Sequence, residues 1–147
     1  MSALPLQRSK ELLQEQGFHV WIVEHYNQWS RRRMDLYNMA DLVAIRHDRQ
    51  GVTGIQCCSE DVHPHIQKLL FGYTDSKGKV WPKNGHLPVW LAAGNPFFIW
   101  AWRKRGDEGK HGTRKTWQLR EVEFILKGSE TVAQEIPTLG RATDFEG

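Results

Sequence analysis

An α/β fold is predicted, with a central mixed sheet flanked by helices, and three observations predict it. Segments that read as strands (FHVWIVE at 18–24, ADLVAIR at 40–46, GVTGIQCC at 51–58, NPFFIWAWRK at 95–104 and TWQLREVEFI at 116–125) are rich in β-branched and aromatic residues. The helical segments carry terminal signals: residues 6–16 stop before Gly17, 62–71 follows Ser59 and Asp61, and 86–94 ends on Gly94. Finally, the order helix, three strands, helix, short helix, two strands interleaves the two types as a mixed sheet requires.

Each element has a local reason. Lys10, Glu11, Leu12, Leu13, Gln14 and Glu15 are good helix formers, and Leu6, Leu12 and Leu13 supply the buried edge of the first helix. Residues 25–39 are too polar and basic for core and are expected as a loop. Residues 40–46 are almost continuously apolar, which predicts a strand covered on both faces. The polar turn from His47 to Gly51 returns the chain as a hairpin partner. In the helix over 62–71, Pro64 sits in the tolerant first turn and Val62, Ile66, Leu69 and Leu70 form one face. Residues 73–85 read as a long loop.

The chain has 147 residues, 39% of them hydrophobic, 25% charged, and seven tryptophans, which suits one folded domain. Residues 1–127 are expected to form it, with 128–147 as a polar, acidic tail. No apolar run approaches the roughly 18 residues that cross a bilayer, and MSALPLQRSKELL lacks the apolar core of a secretory signal. A cytoplasmic protein without membrane contact is expected. Cys57 and Cys58 are adjacent, where a disulfide would demand a strained turn, and no CxxC pair exists for a structural zinc site.

The formal net charge is +3, and the positive charge is clustered at Arg31, Arg32 and Arg33, at 102–105, which holds Arg103, Lys104 and Arg105, and at 110–115. Such blocks suit a polyanion, and Trp100, Trp102 and Trp117 are interleaved with charges where they can stack on bases. The plainer reading is solvated loops and core tryptophans.

Residues 31–59, RRRMDLYNMADLVAIRHDRQGVTGIQCCS, hold the chemistry. Asp41 opens one strand and Gln56 lies near the end of the next, so a hairpin brings a carboxylate and a carboxamide together as part of a metal site. Alternation places Val52, Gly54, Gln56 and Cys58 on one face and Thr53, Ile55 and Cys57 on the other.

On RMDLYNMADLVAI followed by GIQCCS, and on the element order over roughly residues 6–105, the chain resembles the PD-(D/E)XK superfamily, most closely its compact Holliday-junction-resolvase-like nucleases of phage and prokaryotic genomes. The resemblance implies a restriction-endonuclease-like αβββαβ core and Mg2+- or Mn2+-dependent cleavage of DNA, including branched or junction DNA. Asp41 takes the place of the motif aspartate, and Gln56 and Cys58 take those of the E-x-K glutamate and lysine. Asp41, Gln56 and Asp35 are then the implied metal ligands, with Glu24 assisting and Glu11 as a further acid. Lys68 is the candidate replacement for the lysine, although a helical wheel sets it nearly opposite the apolar stripe; His63 and His65 are the other candidates. Arg31, Arg32, Arg33, Arg103, Lys104 and Arg105 are the implied grip on the nucleic acid. Junction resolution needs two active sites, so a homodimer is expected under this reading. Plainer roles stand beside these: Glu24 ending a strand in solvent, Asp35 pairing with Arg33, Glu11 on an exposed helix face. Two other functions also stand, a nucleic-acid-binding protein that keeps the nuclease fold without catalysis, motivated by the missing lysine, and a protein-interaction module such as an inhibitor.

Overall fold

A computed structural model describes residues 3–59, 61–105 and 116–137. The first helix, α1, runs over Ala3–Glu15. It ends in a Schellman arrangement, with the Phe18 N–H on Leu13 O, the Gly17 N–H on Gln14 O, and Gly17 at φ +91°. Strand β1 covers His19–Ile22 and is followed by two three-residue strands, β2 at His25–Asn27 and β3 at Arg32–Met34, which pair antiparallel. The expected loop at 25–39 is therefore corrected to a hairpin. Its turn is built by Asn27, whose Oδ1 accepts the N–H groups of Trp29 (2.9 Å) and Ser30 (3.1 Å) while its carbonyl accepts that of Arg31.

Strands β4 (Leu42–Arg46) and β5 (Arg49–Ser59) form the expected hairpin, with Leu42 facing Ile55 and Val43 facing Gly54. Helix α2 follows at His63–Phe71, with Pro64 in its first turn. The stretch expected as a loop after it carries a small hairpin, β6 at Tyr73–Thr74 and β7 at Val80–Trp81. Asp75 organises this hairpin by accepting from the Lys77 and Lys79 N–H groups and from Trp81 Nε1. Helix α3 (His86–Ala92) leads into β8 (Phe97–Arg105), β9 (Thr116–Lys127) and β10 (Glu130–Ile136).

Among the described residues the central sheet has six strands in the order β1-β4-β5-β8-β9-β10, antiparallel throughout except β5 beside β8. The parallel pair needs a crossover, and α2, the β6–β7 hairpin and α3 provide it. Two apolar clusters cover the sheet. Leu12, Leu13 and Phe18 pack with Leu42, Ile55, Phe98 and Trp100 on one face, and Val62, Leu69 and Leu87 pack with Cys58, Phe97 and Ile99 on the other. Alternation along β5 accordingly falls as the sequence predicts, with Ile55 and Cys57 toward α1 and Cys58 toward α2.

Two further expectations are corrected. Leu42 and Ala44 are buried, but Ile45 is 51% exposed, so β4 is covered on one face only. Residues 130–136, expected within an acidic tail, are the sheet edge β10. Polar pairs tie it to β9 on both faces, Arg120 with Glu135 on one and Glu123 with Gln134 on the other, which is how a charged segment makes a stable edge strand. The remainder of that tail, 138–147, and the basic block at 110–115 lie outside the described residues.

Candidate functional site

Asp41 is held where four segments meet. Its N–H donates to Ile55 O (2.9 Å), and its Oδ2 accepts the Cys57 N–H at 2.8 Å, so the two bonds bracket Gln56 on β5. Its carbonyl accepts the N–H groups of Val23 (2.9 Å) and Glu24 (3.1 Å), which anchors the end of β1 beside it. The fourth segment is a type I′ turn at Tyr37 and Asn38, with φ +54° and +55° and the Met39 N–H on Leu36 O. A bridge between Leu36 and Ala40 closes this turn and sets Asp35 across from Asp41.

The geometry explains the electrostatics. Asp41 is only 8% exposed. Burial raises its pKa from the ordinary carboxylate range to about 7; the Cys57 N–H opposes the shift, and the charges of Glu24 and Asp35 add to it. Asp35 is also raised, by burial first and by Glu24 after its own backbone hydrogen bond. Three acids thus share one neighbourhood and repel one another. On β5, between the two residues that bond Asp41, Gln56 Oε1 is buried and finds no hydrogen-bond donor among the described residues, an arrangement that ordinarily costs stability.

The turn itself is strained. A tyrosine at positive φ is uncommon, and such residues concentrate at functional sites. Tyr37 is retained by stacking on His86, at 4.5 Å between ring centroids and 14° between planes, and by the Asn84 side chain donating to its carbonyl.

Other predicted site residues fall elsewhere. Cys58 sits in the core under α2 with its thiol pKa pushed up to about 12, by burial first and then by Asp41 and Asp61, so it is a neutral packing residue. Cys57 lies on the α1 face, likewise raised by burial. Lys68 is exposed, with Nζ 4.8 Å from the centre of the Tyr73 ring. His63 is exposed, and its charge acts on Glu135 of β10; His65 is half-buried and its pKa is lowered by burial and then by Lys68. Glu11 stays on the exposed side of α1, accepting from Gln7.

Among the basic residues, Arg31 and Arg32 are exposed on the β2–β3 hairpin, whose two ends lead directly to Glu24 and Asp35. Lys104 is exposed, and Arg103 is half-buried near Glu135. The side chains of Arg33 and Arg105 lie outside the described residues. Trp100 and Trp102 are 3% exposed and belong to the core, where Trp100 Nε1 donates to Glu121 and Trp102 Nε1 to Ser9. Trp117 is half-buried under the Arg8 guanidinium. The base-stacking role expected for Trp100 and Trp102 is thereby corrected. The exposed indoles are instead Trp21 (72%) and Trp29 (91%). The only sequence signal for Trp29 was its place between Asn27 and the arginine run, in a turn-forming context.

Among the described residues, no three His, Cys, Asp or Glu side chains come close enough to enclose a metal ion. The donors that remain are the Asp41 carboxylate and the Gln56 carbonyl oxygen, with Glu24 and Asp35 half-buried around them. An all-oxygen set of one or two carboxylates suits Mg2+, which keeps several of its waters and needs no protein cage. A cavity of about 170 Å3 on the α1 side, lined by Leu13, Phe18, Arg49, Thr53 and Glu121 among others, is separate from this cluster and contains none of its residues. Compared with known proteins, the chain matches no family model, no curated protein and no solved structure.

Proposed function

We propose that this protein is a metal-dependent nuclease of the PD-(D/E)XK kind that cuts DNA at the Asp41 cluster. One observation carries the reading: Asp41 is buried among the charges of Glu24 and Asp35, and its two bonds to β5 bracket Gln56, whose Oε1 has no donor among the described residues. Repelling carboxylates and an unpartnered oxygen are the two features that a bound cation would relieve together. The order β1-β4-β5-β8, with α2 in the crossover before the parallel strand, supports the αβββαβ core that the superfamily resemblance implies.

Asp41 and Gln56 would hold the ion. Bound there, Mg2+ or Mn2+ would supply an activated water and counter the charge that develops on the phosphate. Either Glu24 or Asp35, both nearer solvent, would accept the proton that such a water gives up. The Cys57 N–H fixes the Asp41 carboxylate, so one oxygen is oriented before substrate arrives. Arg31 and Arg32 lie on the hairpin that grows from this cluster and hold the phosphate backbone beside it.

Incubation with plasmid, linear and four-way-junction DNA tests the proposal. Cleavage is expected in Mg2+ or Mn2+ and not in EDTA, and Asp41→Ala is expected to abolish it. Full activity in that variant would sink the assignment. If both strands of a junction are cut, sedimentation is expected to show a dimer.

A second reading is favoured by Cys58. The position that the superfamily gives to a lysine holds a buried neutral thiol, and the Lys68 ammonium rests on Tyr73. A nuclease-fold protein that binds nucleic acid without cutting would look the same. Salt-sensitive DNA binding with no cleavage under Mg2+, Mn2+ or Co2+ would select that reading over the first.

A further inference from the structure

We infer that the β2–β3 hairpin is a stacking wedge that selects nucleic acid carrying an unpaired, unstacked base beside the Asp41 cluster. The inference rests on the nucleic-acid reading above and adds the substrate class. Trp29 stands at the tip of the hairpin with 91% of its surface in solvent. An indole so exposed is usually either mobile or waiting for a partner, and its turn is tightly built. The Asn27 side chain caps the Trp29 and Ser30 N–H groups, the Asn27 carbonyl accepts the Arg31 N–H, and Arg31 adopts φ +56° to close the loop. The backbone therefore holds the ring out before any ligand is present, which lowers the ordering cost of binding.

Charge around the tip names the occupant. Arg31 and Arg32 are both exposed next to Trp29, and a flat ring flanked by guanidinium groups fits a base with its neighbouring phosphates. In an intact duplex every base face is already stacked, and inserting a side chain must first separate a base step. A bulge, gap or branch offers a free face without that cost. The wedge thus favours defective or branched DNA over perfect duplex, with no need to read its sequence.

Position ties the wedge to the cluster. The hairpin begins immediately after Glu24 and ends immediately before Asp35, the two acids that bear on Asp41. At about 3.4 Å per residue, Trp29 lies at most about 17 Å from Glu24 along the hairpin. An unpaired base held at the tip therefore brings phosphates only a few nucleotides away to the carboxylates.

The test is binding in EDTA to a short duplex, either perfect or with one bulged 2-aminopurine, which makes the readout independent of cleavage. Wild type is expected to prefer the bulged duplex, with the 2-aminopurine fluorescence quenched on stacking. Trp29→Ala is expected to weaken the bulged complex about 5- to 100-fold and remove the quenching, while changing perfect-duplex affinity less than about twofold. Trp29→Phe is expected to recover most of the preference. Unchanged bulge affinity in Trp29→Ala, equal loss on both duplexes, or absence of binding by wild type would overturn the inference. So would a Trp29→Ala effect confined to self-association, which would make the hairpin an interface between copies. Trp29-dependent bulge preference without any metal-dependent cleavage would remove the nuclease reading and leave the wedge standing.

Discussion

Replacing Asp41 by asparagine should make the protein more stable at alkaline pH, and the size of the gain follows from the burial of this carboxyl. The folded pKa is about 7, against about 3.9 for an aspartate in an unfolded chain. Between those values the native state holds a proton that the unfolded state has released. Stability from this group is therefore fully present below about pH 4 and is lost as pH rises through about 7. The whole loss is on the order of 4 kcal/mol at 1.36 kcal/mol per unit. Because Asp41 is only 8% exposed, solvent screening takes little from that figure. Asp41→Asn keeps an oxygen to accept the Cys57 N–H and cannot ionise. Urea denaturation at pH 5 and pH 8 is expected to show the variant gaining on wild type by about 2–3 kcal/mol across that interval. In thermal melts the same difference amounts to roughly 5–10 °C for a chain of this size. Millimolar Mg2+ should narrow the gap at pH 8 by stabilising wild type alone. Parallel pH dependence in the two proteins would mean that Asp41 ionises like an exposed carboxylate, and the reasoning from burial would be refuted.

Three other outcomes are expected. Cys57 and Cys58 should resist an aromatic disulfide reagent at pH 8 in the native state and react promptly in denaturant, because burial raises both thiol pKa values; rapid native labelling would contradict the packing under α1 and α2. Gly72→Ala should cost about 2 kcal/mol or more in chemical denaturation, since Gly72 has φ +86° and a Cβ there would lie 2.2 Å from Trp81 O. Arg120→Ala should cost no more than about 1 kcal/mol despite its two-pronged contact with Glu135, because this pair on the β9–β10 edge is largely solvated.

The sequence shows the framework of this fold in the segments whose periodicity reflects burial. Leu42 and Ile55 on the α1 face, and Cys58 facing α2 while Cys57 faces α1, follow from alternation along β4 and β5, of which only β5 is covered on both faces. Glu24 and Asp35 were legible as candidates beside Asp41 because each sits at the end of an apolar or basic segment leading toward it. Elements built from side-chain contacts were not legible. The β2–β3 hairpin has strands too short for any period and depends on Asn27 capping its turn. Strand β10 is an edge whose polar residues pair across to β9, so it reads as a tail until Arg120 and Glu135 are seen together. For Trp100 and Trp102 the plainer reading, core packing, is the one the structure bears out against base stacking. The indole N–H groups of both satisfy buried partners, which is what permits them to lie inside.

Three departures from an easily folded sequence converge within one short reach of chain. Tyr37 is held at positive φ, Asp41 is buried against two other acids, and Gln56 Oε1 has no donor among the described residues. Each costs stability, and none takes part in the strand pairing of the β4–β5 hairpin, whose register runs through Leu42–Ile55, Val43–Gly54 and Ala44–Thr53. Elsewhere several groups of the same kinds are satisfied, and Thr53 Oγ1 and the positive φ of Arg31 stand singly. Asp75 is capped by three donors, Glu121 accepts from Trp100, and the turn after α1 uses Gly17 for its positive φ. The Tyr37–His86 stack and the Cys57 N–H offset these features only in part, and a chain that gathers all three at one point has them there for something other than folding. This concentration, more than any single residue of the motif, is the physical case for placing function at Asp41. On the reading proposed above, Cys58 fits the same picture: with a desolvated aspartate and no lysine at that position, the charge balance of the cluster would fall to a bound cation.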